Sequence, residues 1–156
     1  MADKEENSAR RETAAPAGSR ARLIMYSVAA VIALVGLADA TYLTIAHLTG
    51  DDAVCGSLAG CSVVLGSVYA AVAGIPTAAF GALAYFFVFS AAIFVAFGYR
   101  RAQSFFAVVV VSMFLVSLWL LYLQAFVLHA FCPFCLLSAA LVFLLTGLLV
   151  ASPSSR

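Results

Sequence analysis

Two long stretches without a charged residue constrain this chain more than any other feature of its sequence. No Asp, Glu, Lys or Arg occurs between Asp52 and Arg100, or between Arg101 and Arg156. A helix needs only about 20 apolar residues to cross a bilayer, so each stretch is long enough to span a membrane. Only 10% of the residues are charged and 65% are hydrophobic. This pattern excludes a soluble enzyme, a nucleic-acid-binding protein and a chain that as a whole is a disordered tail.

The apolar runs predict four membrane-spanning helices. As a single helix rising about 1.5 Å per residue, the stretch from Ala102 to Ser155 would exceed twice a ~30 Å hydrocarbon core. It must therefore fold back once, and the only local interruption lies just before Pro133. The expected spans lie near residues 23–48, 74–97, 105–127 and 133–150. The predicted fold is an all-α membrane four-helix bundle over residues 23–151.

All eight basic residues fall on one side of such a bundle. Four spans place both chain ends on the same side, and the N-terminal tail carries five of the basic residues. Arg100 and Arg101 lie between the second and third spans, and Arg156 follows the fourth. Because Lys and Arg favour the cytoplasmic side, residues 1–22 and 152–156 are expected to be cytoplasmic tails, the first disordered. The other end is expected to face the periplasm or exterior of a bacterial inner membrane.

The segment from Val54 to Ala73 is also mostly apolar and invites interpretation as a fifth span. It contains six Gly and Ser residues between Gly56 and Ser67, and only Gly74 and Ile75 separate it from the proline before the next helix. A fifth span would also remove the charge asymmetry. We therefore expect the loop at residues 49–73 to form a partly helical cap over the outer end of the bundle.

The four cysteines are all expected at this outer end. Cys55 and Cys61 lie in a Gly-rich loop, whereas Cys132 and Cys135 form a Cys-Pro-Phe-Cys motif at the start of the fourth span. The motif predicts Cys132 at the helix cap, as the more exposed sulfur, and Cys135 one turn inside the bundle. Amides at a helix N-terminus stabilise a thiolate, and proline is tolerated at the first helical position. These features are typical of a redox-active pair.

Three roles without redox chemistry are also compatible with the four cysteines. These roles are packing as small hydrophobic residues, two structural disulfides, and a metal site, although only one pair has a ligand-like spacing. We predict redox catalysis and no metal, with an exposed pair passing electrons to an embedded pair. The embedded pair needs a lipid-soluble acceptor, and a membrane quinone (ubiquinone or menaquinone) is the expected cofactor. The competing function is a disulfide-stapled membrane scaffold or small transporter without redox turnover.

An ordered set of motifs extends this prediction. In chain order they are Asp39-Ala-Thr-Tyr-Leu-Thr-Ile-Ala-His47, Cys55…Cys61, Ser67-Val-Tyr69, Gly74-Ile-Pro76, Gly81, Tyr85 and Cys132-Pro-Phe-Cys135. From Gly36 to about Leu149 the chain resembles the bacterial vitamin K epoxide reductase (VKOR) family. The resemblance implies a four-helix bundle around a quinone. It also implies electron flow from a periplasmic thioredoxin-fold, DsbA-like oxidase to Cys55–Cys61, then to Cys132–Cys135, then to quinone, so that all four cysteines are catalytic.

Four residues are expected to contact the quinone: Ser67, Thr77, Phe134 and Cys135. The resemblance suggests Ser67 and Thr77, which match family positions, whereas Phe134 flanks the redox pair and Cys135 lies one turn inside the bundle. Thr77 stands where the vertebrate enzymes have Asn, so vitamin K epoxide itself need not be a substrate. The chain stops at Arg156 without a fused thioredoxin-like domain, so the redox partner is expected to be a separate polypeptide.

Two further points concern the related enzymes and an unusual charge. In the DsbB-type quinone reductases the Cys-x-x-Cys pair comes first, and here the order is reversed, which favours the VKOR type. Asp39 is the only carboxylate inside an expected span. An intramembrane charge is costly and usually functional, so we expect either a structural hydrogen-bond partner or a proton-handling group.

Overall fold

The structure is a computed structural model, and it describes residues 17–49 and 59–152. The helices in chain order are α1 (Ala17–Thr49), α2 (Ala59–Leu65), α3 (Thr77–Ala96), α4 (Arg100–Tyr122) and α5 (Pro133–Ala151). A π-helical turn, Leu123–Val127, continues α4. Two short antiparallel strands, β1 (Ala71–Val72) and β2 (Ile75–Pro76), precede α3.

Four of these helices are long and apolar enough to cross a membrane. They are α1 from Arg20 onward, α3, α4 with its π-helical turn, and α5. In the described part of the chain they form a closed ring, in which α1 packs against α3 and α5, and α4 packs between α3 and α5. The predicted fold class, an all-α integral membrane bundle, is confirmed.

Three helix boundaries differ from the expected ones. α1 begins at Ala17 rather than Leu23, so two arginines expected in the tail are helical. α4 likewise begins at Arg100 rather than Phe105. Arginine is a good helix former whose long stem lets the charge reach water beside an apolar segment, which explains both extensions. α3 begins only at Thr77, because the three residues before it belong to the β hairpin.

The tightest packing lies at the end of the bundle that carries the α3–α4 connection. The residues there that are at most 3% exposed are Tyr26, Ala29, Ala33, Val88, Ala91, Ala92, Val95, Phe106, Val110 and Leu145. Small side chains let helix backbones approach closely, which is the main source of packing energy between helices in a bilayer. The rings of Tyr26 and Phe106 meet edge to face with centroids 5.4 Å apart.

The other end of the bundle is covered by α2 and the β hairpin, which we call the cap. The hairpin turn, Ala73-Gly74, has positive φ at both residues (53° and 82°), as a two-residue type I′ turn requires. Below it, the amide of Thr77 donates to the carbonyl of Ala70 at 2.8 Å, which fixes the hairpin to the start of α3. The described part of the predicted cap loop is therefore partly helical, as expected. Cys55 lies outside the described residues.

Candidate active site

The Cys-Pro-Phe-Cys motif begins helix α5. Cys132 is the N-cap residue and Pro133 is the first residue of the helix, as predicted. The exposure of the two sulfur-bearing residues is the reverse of the prediction: Cys132 is 0% exposed, whereas Cys135 is only partly buried. The reason is the cap, because Val64 and Leu65 pack directly on Cys132.

The two sulfurs interact through a hydrogen bond that favours the thiolate of Cys132. This bond from the Cys135 side chain lowers the pKa of Cys132 to about 7, from an ordinary value of 9.0. Burial opposes the shift, and the backbone N–H groups of Cys135 and Phe134 at the helix N-terminus reinforce it. Cys132 can therefore react as a thiolate near neutral pH.

The cap contacts the active site through its backbone. A Cβ atom at Gly60 would overlap the carbonyl oxygen of Phe131, so the glycine allows α2 to lie directly against the turn before Cys132. Cys61 is the next residue of α2, although its side chain lies outside the described atoms. The cap helix that carries Cys61 is therefore fixed beside the N-terminus of the redox helix.

Gln124 is a site residue that the sequence analysis missed. It is 3% exposed and lies on the π-helical turn, a distortion often found at functional sites. Its side-chain Oε1 accepts the Cys132 backbone N–H at 3.0 Å, and its backbone carbonyl accepts the N–H of Ala130 at 3.2 Å. These two bonds hold a turn in which His129 adopts a left-handed φ of 48°. The available signal was that Gln124 is the only carboxamide between residues 105 and 127.

A cavity of about 370 Å³ lies between the four long helices, below the cap. Its walls are mostly apolar, and Cys135 and Gln124 are among the residues that line it. This volume falls in the range of about 300–1,000 Å³ that is usual for small-molecule sites. A quinone ring is flat and apolar with two carbonyl acceptors, so apolar walls with a few donors fit such a ligand.

Ser67 and Thr77, both expected to contact the quinone, line the cavity. Each hydroxyl, however, already donates to a backbone carbonyl. Ser67 Oγ donates to Val64 at 2.8 Å, and Thr77 Oγ1 donates to Tyr69 at 3.0 Å. A hydroxyl has a single hydrogen to donate, so in these positions neither side chain has one left for a carbonyl of a ligand.

Phe134 has a different environment from the one expected. It is not among the residues that line the cavity. Instead it packs on Cys132, and its ring lies 5.6 Å from the ring of Tyr42 on α1. Its contacts therefore place it beside the redox helix start rather than on the cavity wall.

A buried polar cluster joins α1, α3 and α5 close to the cavity. Asp39 is 9% exposed, and its side chain hydrogen-bonds that of Ser138, one helical turn beyond Cys135. The hydroxyl of Tyr85 donates to the Ser138 carbonyl at 2.9 Å and lies 3.1 Å from Ser138 Oγ. Gly36 makes room for the Tyr85 ring, because a Cβ there would overlap it. Ser138 is the second site residue that the sequence analysis missed.

The described site contains no clustered metal ligands. Among residues 17–49 and 59–152, no group of three His, Cys, Asp or Glu side chains is placed to hold an ion. A thiol pair at a helix start, with one member on the wall of an apolar intramembrane cavity, defines a class of membrane-embedded thiol oxidoreductases.

Comparison with known families identifies the class more closely. The sequence matches the vitamin K epoxide reductase family over residues 27–150, and the chain belongs to that family. A search of curated proteins finds none that matches this chain at a significant level. Family membership makes the protein a multi-pass membrane thiol–quinone oxidoreductase, and such proteins generally work with thioredoxin-fold partners and quinones.

Proposed function

We propose that this protein reoxidises a separate, extracytoplasmic thioredoxin-fold disulfide oxidase and passes the electrons to ubiquinone or menaquinone, supporting disulfide formation in secreted proteins. One observation carries the proposal. Cys135 lies on the cavity wall, whereas Cys132 is covered by the cap, whose helix α2 contains Cys61. One end of the Cys132–Cys135 pair thus faces a thiol donor, and the other faces space for an apolar acceptor.

The electrons travel by successive thiol–disulfide exchanges. A thiolate of the partner attacks Cys55 of the Cys55–Cys61 disulfide, which releases Cys61. Cys61 then attacks Cys132 of the Cys132–Cys135 disulfide, which releases Cys135. The second thiol of the partner resolves the bond to Cys55, and Cys55 resolves the bond between Cys61 and Cys132. Each exchange forms one S–S bond and breaks one, and Cys132 and Cys135 end as a dithiol.

The contacts of Cys132 suit it to the central position in this relay. Its lowered pKa makes it a good leaving group when Cys55 resolves the mixed disulfide. Val64 and Leu65 of the cap pack on it, so the loop pair carried by the same cap has preferred access. The bonds from Gln124 hold the turn before it. Phe134 contributes by packing against Cys132 rather than by touching the quinone.

The cavity residues hold the acceptor. A bound quinone supplies an acceptor of two electrons and two protons. Cys135 presents its sulfur to the cavity, and the Gln124 carboxamide is oriented, because only its oxygen can face the Cys132 N–H. Its NH₂ group is therefore directed elsewhere and is the donor we assign to a quinone carbonyl. Ser67 and Thr77 complete the wall on the cap side.

The membrane orientation belongs to the same proposal. The eight basic residues support cytoplasmic termini, and the cap and both cysteine pairs then face the periplasm or exterior of a bacterial inner membrane. That compartment is oxidising, as a route for disulfide formation requires. A membrane-impermeant thiol reagent added to reduced spheroplasts should label Cys55 before permeabilisation. Labelling only after permeabilisation would contradict this orientation.

The relay is tested by trapping its thiols in membranes whose quinone pool is held oxidised or reduced. In the wild type the fraction of Cys132 and Cys135 found as thiols should rise when the pool is reduced. An unchanged set of disulfides would instead favour the stapled scaffold. Adding ubiquinone or menaquinone to the reduced protein in detergent should restore the disulfides, whereas NAD should not, since the chain has no Gly-rich dinucleotide fingerprint.

The order of the cysteines is tested with two matched variants. Cys135→Ala should trap the Cys61–Cys132 bond, visible as a disulfide-linked peptide by mass spectrometry, because the Cys132 thiolate can still attack Cys61 of the Cys55–Cys61 disulfide and release Cys55, whereas no Cys135 remains to displace Cys61. Cys132→Ala removes that thiolate and should not form the peptide. If Cys135→Ala gave only a Cys55–Cys132 peptide, the order of the two loop cysteines would have to be reversed.

A further inference from the structure

Asp39 is a buried carboxyl group that the thiol relay does not use. The chain has seven acidic residues, and Asp39 is the only one that falls within the four spans found in residues 17–49 and 59–152. Its Oδ2 is fully buried and has no hydrogen-bond partner. Burial of an unpaired carboxylate costs much more free energy than burial of a neutral acid with one unsatisfied carbonyl oxygen. The surroundings of Asp39 therefore make its carboxyl group easier to protonate than an exposed one.

The Asp39 side chain is also connected to the cavity. Its side chain hydrogen-bonds that of Ser138. Ser138 lines the cavity together with Cys135, which lies one turn earlier on the same face of α5. Asp39 itself does not line the cavity, so the Ser138 hydroxyl is its connection to that space. A residue that only held this hydroxyl in place would need a single acceptor atom. It would not need a carboxyl group whose second oxygen is buried without a hydrogen-bond partner.

The groups that act on Asp39 are consistent with transient proton storage. The titratable groups that interact with it are Tyr85, Cys132 and Cys135, and all of them are acids. No Lys or Arg occurs between residues 23 and 99 to neutralise a carboxylate within the spans. A negative charge on Asp39 raises the pKa of Cys132 and so disfavours its thiolate. A proton on Asp39 removes this opposition while the thiols react.

We propose that Asp39 is the internal proton site of the reaction in the cavity, connected to it through the Ser138 hydroxyl. The inference rests on the proposed function and deepens it. Oxidation of the Cys132–Cys135 dithiol forms one S–S bond and releases two electrons and two protons, and reduction of a quinone to a hydroquinone consumes both. Asp39 donates its proton through Ser138 into the cavity and takes up the proton of Cys135. The proton of Cys132 follows the same path through its hydrogen bond with Cys135, so two protons reach the quinone and Asp39 ends protonated again.

The first test is spectroscopic and does not depend on turnover. Infrared spectra of the whole protein in lipid at about pH 6, where exposed carboxyl groups are ionised, should contain the C=O band of a protonated carboxyl group, which is assigned to Asp39 as the only acidic residue within the four spans of the described chain. The band should be absent in Asp39→Asn and should shift in Ser138→Ala, which removes its hydrogen-bond partner. Absence of the band in the wild type would overturn the proposal without affecting the relay.

The second test separates proton transfer from structure. In single-turnover oxidation of the reduced protein by a soluble ubiquinone analogue, Asp39→Asn should slow formation of the Cys132–Cys135 bond on the order of a hundredfold, as loss of a general acid–base group does. The solvent deuterium isotope effect should disappear with it. Formation of the Cys61–Cys132 mixed disulfide, which needs no proton in the cavity, should keep its rate. Asp39→Glu should restore part of the lost rate.

A control variant separates the role of Ser138 from the loss of any hydroxyl on α5. Thr146→Ala removes another hydroxyl of α5, one that bonds only its own helix at Val142, and should leave the rate and isotope effect unchanged. If Asp39→Asn does not fold, Ser138→Ala must still slow the reaction at least tenfold and the wild-type band must still be present. A wild-type rate in folded Asp39→Asn would overturn the proton site alone. A wild type that no quinone oxidises would instead overturn the proposed function.

Discussion

The two ends of the bundle are built from the same four helices but are packed in opposite ways. At the end near the α3–α4 connection, apolar side chains such as Val88, Ala92 and Phe106 are almost completely buried, and alanines bring α1 and α3 together. At the cap end the helices enclose a cavity of about 370 Å³. The two buried polar side chains of the described residues, Asp39 and Gln124, lie on the cap side of this tight packing.

This contrast indicates that the two ends of the bundle have different roles. A cavity removes packing contacts and therefore lowers stability, and a buried polar group adds a further cost when it is not fully paired. The cap end also holds His129 in a left-handed conformation, which costs energy for a residue with a Cβ. In the described chain the packed end has neither a buried unpaired polar group nor a left-handed residue with a Cβ, and a void there, beside Tyr26 and Phe106, is only about 10 Å³. We infer that the packed end supplies the stability that allows the cap end to keep a cavity and strained turns.

The largest effect on stability is expected from a substitution inside the tightly packed end. Phe106→Ala removes a ring that is 1% exposed and contacts Tyr26 edge to face. It should lower the free energy of unfolding by about 3 kcal/mol, as loss of a buried aromatic side chain usually does. Denaturant unfolding in detergent measures the change. Leu115→Ala on the same helix, where the side chain is 61% exposed toward lipid, is the control and should change the stability little.

The turnover rate of the same variant provides a second test. Because Phe106 lies away from the cavity, the rate per folded molecule of Phe106→Ala should equal that of the wild type when it is measured below the new unfolding transition. A large loss of rate at unchanged folded fraction would show that the two ends are coupled. The inference that they have separate roles would then be wrong.

The next largest effect is expected at the contact between the cap and the redox helix. Gly60→Ala places a Cβ on the carbonyl oxygen of Phe131, and this backbone atom cannot rotate away. The cap helix with Cys61 must then shift, and misplacement by about 1 Å can cost on the order of a hundredfold in rate. Stopped-flow measurement of Cys61–Cys132 bond formation should show this loss.

A second glycine gives the matched control for that variant. A Cβ at Gly147 on α5 would meet nothing within 4 Å, so Gly147→Ala should leave the exchange rate unchanged. The bundle of Gly60→Ala should also unfold at the wild-type denaturant concentration, because the packed end is untouched. Equal exchange rates in both variants would mean that the cap position does not control access to Cys132.

The sequence predicts the number of spans and the fold class better than it predicts the site. Charge-free stretches predict the number of spans, because the thickness of the hydrocarbon core sets the length of apolar helix needed to cross it. The motif Cys-Pro-Phe-Cys correctly places Cys132 at the helix N-cap. Its exposure could not be predicted, since that depends on where a separate segment packs. The spacing of residues along one chain does not determine which of them a cap will cover.

The missed site residues share one cause. Gln124 acts through a π-helical turn and Ser138 through partners on α1 and α3, so both roles arise from contacts between distant segments. The expected role of Ser67 and Thr77 shows the converse. The sequence predicts that both residues contact the quinone, and both line the cavity, but it cannot reveal that local backbone carbonyls already accept the hydrogens of their hydroxyls.

A smaller effect is expected from the electrostatics of the redox helix. The hydrogen bond from Cys135 is the main cause of the low pKa of Cys132, about 7 against an ordinary 9.0. As pH falls below about 7 the thiolate is lost, so alkylation of Cys132 should slow about tenfold per pH unit there and level off above it. The measurement uses protein in which Cys55 and Cys61 are replaced by Ser.

Two substitutions at Cys135 test the cause of that profile. Cys135→Ala removes the donor, so the midpoint should move upward and the alkylation rate of Cys132 at pH 7 should drop about tenfold. Cys135→Ser keeps a hydroxyl donor and should hold the midpoint closer to that of the parent. An unchanged midpoint in Cys135→Ala would assign the low pKa to the helix N-terminus alone.

The smallest effect is expected on the cap side of the cavity wall. Ser67→Ala and Thr77→Val each remove a hydroxyl whose hydrogen is held by a backbone carbonyl, at Val64 and Tyr69 respectively. Such a bond contributes about 1 kcal/mol to local structure, but it is not available to a quinone carbonyl. The KM for a soluble quinone analogue should therefore change by no more than about twofold, whereas Gln124→Leu, which removes the assigned donor, should raise it about tenfold. A tenfold increase in Thr77→Val would mean that this hydroxyl turns toward the bound ring, and the cap would then belong to the quinone site as well as to the relay.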